Sequence, residues 1–226
     1  MKSSQRIDSI PMSGIRKMFD LAGPDSINLG LGEPDLDPPA EAIEAMCEAS
    51  KAGKNKYGPT AGIPELRDAI ADYFSKYGKL EGSNIMVTPS GSTALLEVTQ
   101  AMVDPSDEVL VPSPGFVIYG PHASLAGASP REYRLTDDGL FQPDIDDIQS
   151  RITRDTSMIV VTTPSNPTGG VLTEDSKKAL LDIARDKDIT ILADEVYCEF
   201  IYEGEHTSFM DSLDCSVVVN GFSQMM

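Results

Sequence analysis

Five short polar clusters hold the residues with chemical potential, and each follows an apolar run. Ser90-Gly91-Ser92-Thr93 sets hydroxyls and backbone amides at the start of a helical stretch. Unpaired N–H groups and the helix dipole favour an anion such as phosphate there; standing alone, the motif serves equally well as an N-cap. Phe116, in Pro112-Ser113-Pro114-Gly115-Phe116, can stack on a flat ring, although a lone phenylalanine is more often core. Asn166, in Ser165-Asn166-Pro167-Thr168-Gly169, and Tyr197, in Ala193-Asp194-Glu195-Val196-Tyr197, can donate hydrogen bonds to a phenolate-type oxygen. Turn formation and packing are their alternatives. Asp194 follows an apolar run directly, and a carboxylate there can hold a proton on a ring nitrogen; a metal ligand or a helix cap is the alternative. The fifth cluster, Asn220-Gly221-Phe222-Ser223-Gln224, follows the last apolar run.

These clusters need a common scaffold. From about residue 84, β-rich runs alternate with helical stretches: Ile85–Thr88, Glu108–Val111, Glu132–Leu135, Met158–Val161, Ile189–Leu192 and Val217–Val219. Most are apolar on both faces, as strands covered by helices on two sides must be. The alternation predicts an α/β fold with a mostly parallel sheet, and ligands of such sheets bind beyond the carboxyl ends of the strands. Thr173 followed by Glu174-Asp175 predicts an N-cap with first-turn acids. The first eighty residues differ. Helices are predicted over 11–22, 39–52 and 64–77, with an extended Ile27-Asn28-Leu29. In the last helix Leu66, Ile70, Tyr73, Phe74 and Tyr77 share a side, which reads as core packing.

Thirty-six acidic against 18 basic residues leave the 226-residue chain at −18, a balance that repels phosphate backbones and anionic lipid. Nucleic-acid and membrane partners are therefore not expected. Cys47, Cys198 and Cys215 fit neither a disulfide framework nor a zinc spacing and read as buried free thiols of a reducing compartment. His122 and His206 lack ligand-spaced carboxylates or cysteines and read as packing or surface residues. No leader or membrane-length apolar run is apparent, so a cytoplasmic location is expected. No Gly-x-Ser-x-Gly elbow occurs, and Gly30-Leu31-Gly32 lacks the third glycine of a dinucleotide fingerprint.

Together with Leu31-Gly32-Glu33-Pro34-Asp35 and Tyr57-Gly58-Pro59-Thr60-Ala61-Gly62, the Ser-Gly-Ser-Thr, Asn-Pro-Thr-Gly and Asp-Glu-Val-Tyr motifs resemble the large domain of class I and II, fold-type I aminotransferases. The resemblance covers nearly the whole chain. It implies a three-layer α/β/α large domain, incomplete, that binds pyridoxal 5'-phosphate: an N-terminal arm and part of a small domain over 1–52, the large domain over 53–226, and no C-terminal small domain. It also implies roles. Ser92 and Thr93 would hold the phosphate, Phe116 would stack on the pyridine face, Asn166 and Tyr197 would contact the phenolic oxygen, and Asp194 the ring nitrogen. Gly32 would lie beside the substrate carboxylate. Tyr57 would reach the phosphate of a neighbouring subunit in a homodimer. The implied activity is amino transfer between an amino acid and a 2-oxo acid. The family's catalytic lysine, which attaches the cofactor covalently, falls at Gln224. An amide is neither nucleophile nor base, so the chain as it stands is expected to be an inactive fragment, poorly soluble or partly ordered alone. A non-catalytic binding protein and a pyridoxal-phosphate-dependent lyase or synthase remain open.

Overall fold

The computed structural model describes residues 4–8, 10, 21, 23, 26–27, 32 and 36–224. The helix expected over 11–22, apart from Leu21, and most of the Leu31–Asp35 motif lie outside the described residues, as do Met225 and Met226.

Alternation of apolar side chains along the strands builds the centre. Strands β1 (Glu108–Ser113), β2 (Ser129–Arg134), β3 (Thr156–Thr162), β4 (Thr190–Asp194) and β5 (Ser216–Val219) form one sheet in the order β2-β1-β3-β4-β5. All four pairings are parallel. Successive strand residues point to opposite faces, and the core divides accordingly. Val109, Val111, Met158, Val160 and Leu192 pack on one face with Leu95 and Tyr119. Leu110, Ile159, Val161, Ile191 and Ala193 pack on the other with Ile148, Leu180 and Ile183. The first face is covered by α4 (Gly91–Met102) and α5 (Tyr119–Ala126), the second by α6 (Ile145–Arg151) and α7 (Glu174–Lys187). This is the expected three-layer α/β/α arrangement. Thr173 caps α7, its hydroxyl accepting from the Ser176 N–H at 3.2 Å. The strand order reverses between β1 and β3, and such a switch point opens a crevice at the carboxyl ends of the strands.

Three expectations change. Ile85–Thr88 joins no ladder among the described residues, and the Val87 N–H donates to Ala61 O at 3.0 Å. That contact docks the Tyr57–Gly62 loop. Gly62 sits at φ +100°, and a Cβ there would lie 2.7 Å from the Val87 side chain, so both conformation and space require glycine. β2 is not apolar on both faces. It is an edge strand whose only buried residue is Tyr133, which also accommodates Pro130. The helix expected to reach Tyr77 is α3 (Pro64–Tyr73). It ends at Tyr73, with Phe74 as its C-cap, and residues 74–77 continue as a turn; Gly78 follows, so close to Met210 that a Cβ there would stand 2.5 Å from the Met210 carbonyl oxygen. Of its apolar stripe, Phe74 is buried with Cys198 and Met210, whereas Leu66 and Tyr73 are exposed.

Two further helices precede α3. The four-residue α1 (Gln5–Asp8) lies near α5, and α2 (Ala40–Lys51) occupies the span expected for a helix over 39–52 but buries none of its residues. Cys47 on α2 is thus exposed, against expectation; Cys198 is buried and Cys215 half-buried, and all three are free thiols.

Candidate active site

Asp194 is the last residue of β4 and is only 3% exposed. Its Oδ2 accepts from the Tyr119 hydroxyl at 2.7 Å, and its Oδ1 from the Val196 N–H at 3.3 Å. Burial pushes its carboxyl above the ordinary carboxylate range, against the two hydrogen bonds that pull it down, and the neighbouring Glu195 charge adds to the rise. A buried carboxylate without a cation is incomplete, and among the described residues no basic side chain pairs with it.

The start of α4 supplies the second feature. The Ser90 hydroxyl caps the helix, accepting from the Thr93 N–H at 3.1 Å, and lies 2.9 Å from the Thr93 hydroxyl. The Gly91 and Ser92 amides take no partner among the described residues, as the first amides of a helix must unless a ligand or water does so. A Cβ on Gly91 would stand 3.5 Å from Val196 and 4.0 Å from Val219. The anion-type helix start is therefore packed against the loop that follows Asp194 and the end of β5.

Phe116 follows β1 and packs half-buried in the same apolar cluster as Leu95 and Tyr119. Its ring meets Tyr119 edge-on at 5.8 Å. Asn166 sits in the turn after β3, closed by Gly169 N–H to Ser165 O at 2.7 Å and Ser165 N–H to Gly170 O at 2.9 Å. Its half-buried side chain makes no hydrogen bond among the described residues. Tyr197 is half-buried against Phe200, with ring centres 6.3 Å apart. Ser92, Thr93, Phe116, Asn166, Asp194 and Tyr197 thus all follow strands or open a helix on the carboxyl-end side of the sheet. Gln224 is half-buried in the turn after β5, beside Ser223, and Phe222 of that turn packs on Phe74. Tyr57 and Gly32 are not brought to this cluster: Tyr57 is fully exposed, and nothing lies within 4 Å of a Cβ placed on Gly32.

Two groups escaped sequence reasoning. Tyr119, three residues after Phe116, links Asp194 to Thr162, its hydroxyl lying 2.7 Å from the Thr162 Oγ1. The second is a buried knot behind the strand end. Glu195 is fully buried and accepts from the Ser208 hydroxyl at 2.7 Å and the Phe209 N–H at 2.8 Å, with His206 Nε2 at 3.0 Å. His206 is therefore neither a surface nor a simple packing residue. Its carboxylate lies eleven positions away in sequence and is adjacent only because the 195–209 segment folds back. His122 is buried on α5, where burial lowers its basicity, which fits packing. Among the described residues no cluster has metal-ligand character, and no helix is long and apolar enough to cross a membrane.

The donor set suits a phosphorylated aromatic cation. It combines free helix-start amides with hydroxyls, a ring at Phe116, and a buried carboxylate lacking a positive partner. Known proteins resemble the chain over most of its length. The chain is 40% identical over 223 residues to a probable aspartate aminotransferase of Methanocaldococcus jannaschii, covering 98% of this chain and 59% of that protein. It is 37% identical over 233 residues to aromatic-amino-acid aminotransferase 2 of Thermococcus litoralis, covering 99% and 60%. The structure of Thermus thermophilus aspartate aminotransferase with maleate superposes with a TM-score of 0.91 at 36% identity, over 98% of this chain and 60% of that one. The chain thus spans about 60% of the length of these relatives. The model of the family described as "Aminotransferase class I and II" matches residues 24–226, and this chain belongs to that family.

Proposed function

We propose that the chain carries the cofactor-binding face of a pyridoxal-phosphate-dependent aminotransferase, acting between an amino acid and a 2-oxo acid. The observation that carries this reading is the buried, cation-free Asp194 on the same side of the sheet as the open amides of α4. When bound, pyridoxal phosphate supplies an electron-withdrawing ring that accepts the electron pair left when a substrate C–H bond is broken. The chain's residues position and polarise that ring. Asp194 keeps a proton on the ring nitrogen, and the positive ring in turn offsets the cost of the buried charge. Ser92, Thr93 and the Gly91 and Ser92 amides seat the phosphate at the positive end of α4. Phe116 covers one ring face, and Asn166 and Tyr197 donate to the phenolic oxygen. Tyr57 is free to reach a neighbouring subunit's phosphate in a homodimer, and Gly32 leaves room beside the substrate carboxylate.

Gln224 separates this chain from an ordinary catalyst. It supplies no amine for covalent attachment and no base for the substrate proton, so binding here is non-covalent and turnover by the chain as it stands is not expected. The test is binding of pyridoxal phosphate, followed by visible absorbance and quenching of tyrosine fluorescence, in the chain and in Asp194→Ala. Saturable binding that Asp194→Ala abolishes supports the reading. Gln224→Lys should add attachment that survives borohydride reduction and maps to residue 224. Equal binding by the chain and by Asp194→Ala would remove the basis of the proposal.

A further inference from the structure

We propose that Tyr119 is the positioning residue of Asp194, held by Thr162 behind it, so that two hydroxyls in series set how firmly Asp194 keeps its proton and hence its grip on a ring nitrogen. The inference rests on Asp194 being the ring-nitrogen partner, and it adds a relay that no strand-end rule supplies.

The geometry fixes the direction of the relay. The Tyr119 hydroxyl lies 2.7 Å from Asp194 Oδ2 and 2.7 Å from Thr162 Oγ1. A phenol has one proton and a carboxylate only accepts, so Tyr119 donates to Asp194 and Thr162 donates to the Tyr119 oxygen. Thr162 and Asp194 are register partners across β3 and β4, so strand pairing sets the gap that the phenol spans from α5. Tyr119 is 4% exposed, and burial drives its own deprotonation far out of reach. It is a permanent donor.

Among the described residues no other group facing Asp194 can substitute for it. Tyr133, the titratable group on β2 nearest the relay, gives its hydroxyl to Val160 O at 2.9 Å. Glu195 carries like charge and is closed on His206, Ser208 and Phe209. The Val196 N–H at 3.3 Å is the longer of the two hydrogen bonds. Tyr119 is thus the main contact opposing burial, and without it Asp194 keeps its proton to higher pH.

The sign in the unliganded chain follows. A carboxyl whose folded pKa is raised contributes stability at acid pH that is lost as pH rises through the folded value. Removing Tyr119's donor raises that pKa further and enlarges the loss. Tyr119→Phe and the parent should therefore differ least at acid pH and diverge toward neutral pH in urea midpoints. Thr162→Val should diverge in the same sense by less, and Thr162→Ser, which keeps the hydroxyl, should follow the parent. Pyridoxal phosphate, the probe ligand, should bind about tenfold more weakly to Tyr119→Phe at neutral pH, the scale of a hydrogen bond to a charged group. In an Asp194→Asn background the same change should have no further effect. A stability difference that is constant with pH, or an equal binding loss in both backgrounds, overturns the relay and leaves Tyr119 a packing residue. If Tyr119→Phe does not fold, Thr162→Val against Thr162→Ser decides the question by the same pH dependence. If the parent binds no pyridoxal phosphate, the cofactor reading fails, while the pH dependence still decides whether Tyr119 governs Asp194.

Discussion

Replacing Glu195 by alanine tests whether the buried knot behind the strand end anchors the 195–209 segment. Glu195 has no exposed surface and takes the Ser208 hydroxyl, the Phe209 N–H and His206 Nε2. Each partner is itself buried: Ser208 at 5% and Phe209 at 0% exposure, and the His206 side chain at 1%. The Ser208 hydroxyl can turn, and it also accepts from the Met210 N–H at 3.1 Å. The Phe209 N–H and the His206 ring cannot, and His206 Nδ1 already lacks a partner among the described residues. Two stranded buried donors at about 1–3 kcal/mol each put the loss at about 2–6 kcal/mol. Set against a domain stability of about 5–15 kcal/mol, this is a large share. Glu195→Gln keeps an acceptor for Phe209 N–H and a similar volume, and should lose only about 1 kcal/mol. Urea unfolding followed by circular dichroism measures both, with the midpoint falling at constant slope. An alanine variant within about 0.5 kcal/mol of the parent, the range of an ordinary surface substitution, would refute the claim that this knot anchors the 195–209 segment.

Other expectations concern charge and caps. Asp194→Asn should stabilise the unliganded chain at neutral pH, because the native carboxyl is raised by burial and its ionisation above that value is unfavourable in the folded state; urea midpoints across pH check it, and a destabilised variant would contradict it. Asp147 has the opposite sign. The Arg151 guanidinium hydrogen-bonded to it at 2.6 Å, with the Arg134 N–H at 2.9 Å, holds its carboxyl below the ordinary range. Its stabilisation is present above the unfolded carboxylate range and lost as pH falls through the folded value. Asp147→Asn should therefore flatten the acid limb of the stability profile, and an unchanged limb would rule this out. Ser90→Ala removes the cap on the Thr93 N–H and should cost about 1 kcal/mol, while leaving the Gly91 and Ser92 amides free for phosphate.

Residues fixed by the strand-end rule were readable in the sequence because one local fact, a polar residue directly after an apolar run, places them. Asp194 follows such a run directly, Phe116 lies in the turn after another, and Ser92 and Thr93 open a helix beside a third. The runs themselves were readable where both faces are covered, as at Met158–Val161. Ile85–Thr88 is similarly apolar yet has no ladder partner among the described residues, since a strand is a pairing and not a property of one segment. The two groups that escaped reading share a cause. Tyr119 meets Asp194 across 75 positions, and Glu195 meets His206 across eleven and Phe209 across fourteen. Glu195, His206 and Phe209 lie outside any helix or strand, and Tyr119 and Asp194 belong to different elements, so no helix or strand period announces these contacts. Both belong to the layer that fixes the acid rather than to the layer that would touch a ligand. Local pattern places a functional side chain at the end of a strand; its proton affinity is set by neighbours from α5 and the returning 195–209 segment. Two chains sharing the Asp-Glu-Val-Tyr motif can therefore hold the same aspartate at different strengths. For this chain that strength depends on a phenol and a threonine that the motif does not contain.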